Sequence, residues 1–263
     1  MESNQLLDKR VTLITGGATG IGFGIARHYA AHGARVVLAS RNSQHLDTAV
    51  HQLRQAGGEA MAVVFDVRDY SAVEQGIHTI MNRYGALDVL VNSAAANGVC
   101  PTAELSPNAW KSVIDIDLNG TFHCCKAAYP ALCHSRFGGR IINITMTRTV
   151  HGWPGCAHAA AAKAGVLSLT RSLAVEWGNQ GIRVNAIAPG LTADTQGVRR
   201  LIEAHGLLDQ ARRQIPLGQL ASIQDIADMA LLLISPAANH INGIELSVDG
   251  GAQWHNSVTF PGE

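Results

Sequence analysis

Short runs of apolar residues alternate with longer segments of helical period from one end of the chain to the other. Val11 to Ile14, Arg35 to Ala39, Ala60 to Phe65, Leu87 to Val91, Arg140 to Ile144, Arg183 to Ile187 and Ile244 to Val248 read as strands. Several are apolar without alternation, the pattern of parallel strands covered on both faces. Between them, Ile21 to His32, Gln44 to Ala56, Ser71 to Tyr84, Pro107 to Ser135, Ala157 to Trp177 and Ile223 to Ser235 are long enough to be crossover helices. Right-handed βαβ units of this kind predict an α/β fold, one doubly wound sheet of about seven parallel strands with helices on both faces. With no internal repeat and no Pro/Gly/Ser linker, residues 1–263 are expected to form a single domain. Only Leu191 to Pro216 breaks the rhythm. An insertion there, between a strand end and the next helix, predicts a substrate lid near 191–216, with a pair of purely structural helices as the alternative.

Composition narrows the function. Lys plus Arg number 20 against 20 Asp plus Glu, a formal net charge of zero. No basic stretch offers an electrostatic footprint for nucleic acid, so that class of partner is excluded. Charged residues make up only 15% of the chain, which points to surface buried in oligomer contacts. The five cysteines have no C-x-x-C spacing, and the twelve histidines show no ligand spacing, so neither a disulfide framework nor a metal site is expected. The polar start, Met1 to Arg10, lacks the apolar run of a signal peptide, and no segment has the length of a membrane span.

The first strand runs into Thr15-Gly16-Gly17-Ala18-Thr19-Gly20-Ile21-Gly22, with a helical pattern following. Glycines at that place let the backbone turn sharply and approach a pyrophosphate resting on the helix N-terminus, a Rossmann arrangement for a dinucleotide. Gly16, Thr19, Gly20, Ile21 and Gly22 are therefore candidate cofactor contacts. After the second strand comes Ser40-Arg41, with no acid next to it in the sequence. A guanidinium there favours the 2′-phosphate of NADP(H), the alternative being a solvated loop cation. Asp66 and Val67 after the third strand, and Asn92 and Ala94 after the fourth, complete the predicted edge, although turn chemistry alone accounts for such residues too.

With these loops in hand, the chain resembles the short-chain dehydrogenase/reductase family over essentially its whole length. The markers are Thr15-Gly16 through Gly22, Asn92-Ser93-Ala94-Ala95, Lys163 on a long helix, Ala188-Pro189-Gly190 and Val248-Asp249-Gly250-Gly251. The resemblance implies cofactor contacts at Lys163, Pro189, Gly190 and Thr192. That family usually works with a tetrad of Asn, Ser, Tyr and Lys. Here Lys163 stands, but Ala159 takes the Tyr position, Met146 the Ser position and Asp117 the Asn position. A positioned acid is worth about 10²–10⁴-fold to hydride addition at a ketone, and neither Ala nor Met supplies one. Ordinary ketone or alcohol chemistry is not expected. A conjugated thioester relaxes the demand, because the negative charge collects on the thioester oxygen as an enolate, which needs only a hydrogen-bond donor.

One branch of the family has this look. Asn92 to Asn97 with Cys100-Pro101, Leu105 to Lys111, Asp115-Ile116-Asp117, Gly120-Thr121-Phe122, His158-Ala159 before Ala162-Lys163-Ala164, and Leu173 to Gly178 are similar to 2,4-dienoyl-CoA reductases, most closely the peroxisomal type. The resemblance implies NADPH-dependent reduction of an enoyl- or 2,4-dienoyl-thioester, with Asp117 ordering the water that gives the proton and Lys163 holding the nicotinamide ribose. Asn119 stands where the mitochondrial type keeps a carbonyl-binding Asn, while Arg148 replaces its Tyr. Asp249 is a second carboxylate near the substrate or a structural turn. His158 is an acid beside the vacant Tyr position or a helix-packing histidine. Trp153 and Arg148 fall in a segment that lines the implied acyl pocket, and Arg148, Arg199 and Arg200 are candidate cations for a CoA phosphate.

Two other readings compete. A Tyr-less homologue doing isomerase, lyase or cyclase chemistry is the principal alternative, and a non-catalytic NADP-binding subunit is the other. The ending Phe260-Pro261-Gly262-Glu263 is not a Ser-Lys-Leu-type address, so a cytoplasmic location is expected. The two longest helical segments suggest a homodimer or homotetramer.

Overall fold

The computed structural model describes residues 5–149 and 152–254. Its strands are β1 (Val11–Thr15), β2 (Arg35–Ser40), β3 (Glu59–Val64), β4 (Val89–Asn92), β5 (Arg140–Ile144), β6 (Arg183–Pro189) and β7 (Glu245–Val248). They pair in parallel in the order β3-β2-β1-β4-β5-β6-β7, so the direction of winding reverses between β1 and β4. A crevice opens at the carboxyl ends where such a reversal occurs. Thr15 lies beside Asn92, and Asn92 beside Asn143, which brings three strand ends level at that crevice.

The helices are α1 (Gly20–Ala31), α2 (Ser43–Gln55), α3 (Tyr70–Tyr84), α4 (Pro107–Ile114), α5 (Gly120–Cys133), α6 (Ala157–Trp177), α7 (Gln196–Leu201), α8 (Leu208–Arg213) and α9 (Ile223–Ile234). Local chemistry sets several of the starts. Asn42, Asp69, Ser106 and Ser222 each accept a backbone N–H in the first turn of the helix that follows, and Ser222 with Asp225 forms a reciprocal capping box. Because strand side chains alternate in direction, Ile14, Val36, Leu38 and Val91 pack with Ile25, Tyr29, Leu46 and Leu233 of α1, α2 and α9. Leu13, Val37 and Leu90 face the other way, onto Ile80, Leu132 and Leu173 of α3, α5 and α6. Two buried layers therefore clamp the sheet, as its apolar strands require.

The single helix expected over Pro107 to Ser135 is divided. A π turn, Asp115–Asn119, separates α4 from α5, and the Gly120 N–H bonds back to the Asp115 carbonyl. The predicted lid segment holds α7 and α8, and its base is closed by hydrogen bonds from Ala193 N to the Ala221 carbonyl and from Ala221 N to the Leu191 carbonyl. No helix among the described residues is long and apolar enough to cross a membrane.

Candidate active site

The chain between β1 and the first turn of α1 comes so close to its neighbours that a side chain is excluded at Gly16 and Gly22. A Cβ on Gly16 would lie 2.8 Å from the Ser93 carbonyl oxygen, and one on Gly22 would lie 2.6 Å from the Gly16 carbonyl oxygen. Thr15 fixes the facing loop, its Oγ1 accepting the N–H groups of Ser93 and Ala94 at 3.2 Å each. Thr15 opens the glycine motif but was not among the candidate cofactor contacts. Thr19 precedes α1 without capping it through its side chain, and the first turn carries no acid, so the N–H groups there face outward without a protein anion. Beside them an open cavity of about 750 Å³ is lined by Gly16, Ser40, Arg41, Asp66, Val67 and Ala94, among others. The size and lining of this cavity fit a nicotinamide dinucleotide.

The fold corrects one premise about Arg41. The acid missing beside it in the sequence arrives from β3: Asp66 Oδ2 stands 3.7 Å from Arg41 Nη1. A third residue, Arg68, grips the same carboxylate at 2.6 Å. Asn92 also differs from the expectation, since its amide turns inward, donating to Asn143 Oδ1 at 2.8 Å and to Cys125 Sγ at 3.3 Å. It ties β4 to β5 beneath the cavity.

Deeper in the crevice the π turn directs Asp117 inward. Gly165 of α6 lies against this turn, where a Cβ would meet Leu118 Cδ2 at 2.9 Å. Asp117 Oδ1 accepts the Ala96 N–H at 2.7 Å, and its Oδ2 lies 3.6 Å from Lys163 Nζ. Lys163 also donates to the Ile144 carbonyl at 2.8 Å. Burial pushes the Asp117 carboxyl above its ordinary range, while Lys163 and the Ala96 N–H pull it back. The result is a carboxyl held beside an ammonium at the end of the crevice.

Other predicted residues are distributed unevenly. Asn119 is exposed and donates to Asp115 Oδ1 at 2.9 Å, so the π turn carries it away from Asp117 and Lys163. Asp249 is buried, and both its oxygens accept backbone N–H groups, from Gly251 at 3.0 Å and Gln253 at 2.8 Å. Of its two readings, the turn is the one these bonds describe. His158 is buried on the first turn of α6, its Nδ1 enclosed without a partner. Trp153 joins Leu191, Ile202, Leu207, Gln210, Ala211 and Gln214 around a 160 Å³ pocket beneath the lid segment. Gly190 N bonds to the Val248 carbonyl, and the buried Thr192 hydroxyl donates to the Gly190 carbonyl, placing both just after Pro189 where the segment holding α7 and α8 begins. Arg199 pairs with Asp194 at 3.7 Å. The Arg148 side chain and His151 lie outside the described residues. Cys124, Cys125 and Cys156 are buried free thiols, whereas Cys100 and Cys133 are only partly covered. Among the described residues no group of three His, Cys, Asp or Glu side chains is placed to hold a metal.

A family model described as "Enoyl-(Acyl carrier protein) reductase" matches residues 16–253. A short chain dehydrogenase from Bacillus anthracis superposes with a TM-score of 0.88 at 39% identity, covering 98% of this chain and 100% of that one. This chain belongs to the short-chain dehydrogenase/reductase family. As a short-chain dehydrogenase/reductase it is unusual where the family's acid is expected: Ala159 is buried with 2% exposure, and Met146 is half-buried. A Bacillus subtilis protein named as a probable 2,4-dienoyl-CoA reductase, (2E)-enoyl-CoA-producing, is 41% identical over 255 residues, 97% of this chain and 100% of the relative. A mouse peroxisomal 2,4-dienoyl-CoA reductase, (3E)-enoyl-CoA-producing, is 40% identical over 258 residues, 98% of this chain and 87% of the relative. A gluconate 5-dehydrogenase from Burkholderia cenocepacia, solved with NADP and tartrate, shares the short-chain dehydrogenase/reductase fold with a TM-score of 0.91 at 32% identity, over 97% of this chain and 99% of that one.

Proposed function

We propose that the chain is an NADPH-dependent reductase of the conjugated carbon–carbon double bond in a 2,4-dienoyl- or enoyl-CoA thioester. The observation that carries this reading is the buried Asp117–Lys163 pair in a crevice where Ala159 and Met146 supply no acid. Full-length similarity to proteins named 2,4-dienoyl-CoA reductases supports the substrate class. Arg41 at the cavity rim supports NADPH, as does the NADP held by a solved relative.

Bound NADPH supplies the hydride, and the chain's residues have two further tasks, to hold the enolate oxygen and to deliver a proton to carbon. Lys163 provides a fixed positive charge beside the reacting centre, anchored by the Ile144 carbonyl. Asp117, whose carboxyl burial raises above its ordinary range, orders the water that gives the proton. Trp153 with the lid segment encloses the acyl chain. Asn119 takes no part, because it faces outward. The non-redox alternative has no observation in its favour. A homodimer or homotetramer in the cytoplasm completes the proposal. Phe122 on α5 and Val175 on α6, exposed by 44% and 85%, are the apolar surface that such an assembly would cover.

The test is the decay of NADPH absorbance with purified protein and a panel of 2-enoyl- and 2,4-dienoyl-CoA thioesters, with matched ketones and NADH as controls. Turnover confined to thioesters is expected, and NMR of the product reads the position of the remaining double bond. Turnover on ketones alone, or silence on every thioester despite NADPH binding, would overturn the reading.

A further inference from the structure

The rim of the 750 Å³ cavity carries an electrostatic conflict. A 2′-phosphate brings negative charge to Arg41, yet Asp66 already stands 3.7 Å from that guanidinium. Left to itself, the carboxylate would compete for Arg41 and repel the incoming phosphate. It would make the site suit a ribose hydroxyl better than a phosphate.

Arg68 changes that balance. Its Nε donates to both carboxylate oxygens of Asp66, at 3.1 and 3.0 Å, its Nη2 donates to Oδ2 at 2.6 Å, and its backbone N–H donates to Oδ1 at 3.0 Å. A bidentate grip of this kind is the strongest pairing a carboxylate makes with a side chain. By contrast, Arg41 is beyond hydrogen-bond distance of Asp66, and its side chain is 62% exposed. The Asp66 carboxyl is held below its ordinary range, chiefly by the Arg68 hydrogen bond, with Arg41 the smallest influence. The next acid along this edge, Asp115, is occupied by Lys111 and Asn119 and makes no competing claim on Arg68 at hydrogen-bond distance.

We infer that Arg68 is a specificity-determining residue for the cofactor: by taking up the charge of Asp66, it leaves Arg41 available to a 2′-phosphate. The inference rests on the NADPH reading above and concerns how the site achieves it. Arg68 need not touch the phosphate, because it acts through Asp66 and is a positioning residue in that sense.

The experiment is direct binding of NADPH and NADH, followed by nucleotide fluorescence, in wild type, Arg68→Met, Asp66→Asn and the double variant, each checked for fold by circular dichroism. Arg68→Met is expected to raise the Kd for NADPH by about tenfold or more, and that for NADH by less than about threefold. Adding Asp66→Asn to Arg68→Met removes the competing charge and should bring NADPH affinity back to within about threefold of Asp66→Asn alone. A merely structural Arg68 would weaken both nucleotides alike and would gain nothing from the second substitution. Either of those results overturns the inference, as does an Arg68→Met variant with unchanged preference. If wild type itself does not prefer NADPH, the cofactor reading and this inference fall together. If it prefers NADPH but turns over no thioester, only the substrate reading fails.

Discussion

Asp117 and Lys163, carried by the π turn and α6, bring Oδ2 and Nζ to 3.6 Å, with side-chain exposures of only 1% and 9%. A buried charge with one partner removed is costly, and a site built on the pair loses both members together. Asp117→Asn and Lys163→Ala should each lower kcat on a dienoyl thioester by about 10²-fold or more, with far-UV circular dichroism unchanged. Retention of activity in both variants would exclude the proposed chemistry.

The same carboxyl makes stability depend on pH in a definite direction. Burial raises its pKa above 3.8 in the folded chain, so the folded form keeps its proton after the unfolded chain has released it. Below the ordinary value this group costs the fold nothing, and stability is lost as the pH rises from there through the raised value. Asp117→Asn removes the titration. Melting curves of the two proteins from pH 4 upward should therefore show the variant gaining on wild type as the pH rises, and a constant difference would contradict the assignment.

Ala159 tests whether the family's ordinary acid can simply be reinstated. The residue is 2% exposed at the start of α6, so a phenol ring there must displace packed neighbours. Ala159→Tyr is expected to destabilise the protein by about 1–3 kcal/mol in thermal or denaturant unfolding. It should confer no NADPH oxidation with ketones, because Met146 and Asp117 remain in place of the other partners.

Assembly is testable by light scattering after size exclusion. Val175 is 85% exposed on α6, and Phe122 is 44% exposed on α5. A mass of two or four chains is expected, and Val175→Glu should shift it toward one. A monomeric wild type would refute the proposed assembly.

The sheet was legible because several strands covered on both faces carry apolar runs without alternation, and each predicted strand lies within two residues of its place. The close-packed turn after β1 was legible where glycines mark it. The division of the long helix was not, because Ile114, Ile116 and Leu118 carry an apolar pattern straight through the π turn and no Pro or Gly announces a break before Gly120. Asn119 was named from a resemblance, and its outward direction depends on the turn. The contact of Asp66 with Arg41 comes from the pairing of β2 with β3, which joins residues 25 positions apart. The Arg68 grip on Asp66 lay only two positions away, a spacing that reads as ordinary surface charge. Asp249 was open between two roles until its backbone partners were visible.

An α-helix turns about 100° per residue, so a single residue more or less in a continuous helix redirects everything beyond it. The wide turn at Asp115–Asn119 is such an extra step, and the inward aim of Asp117 depends on it. Removing Leu118 should let α4 and α5 fuse into one regular helix, with helical ellipticity kept or raised while thioester turnover disappears. Loss of ellipticity instead would show the wide turn to be a requirement of folding. The better helix and the working enzyme are thus rival solutions to the same stretch of chain, separated by one amino acid.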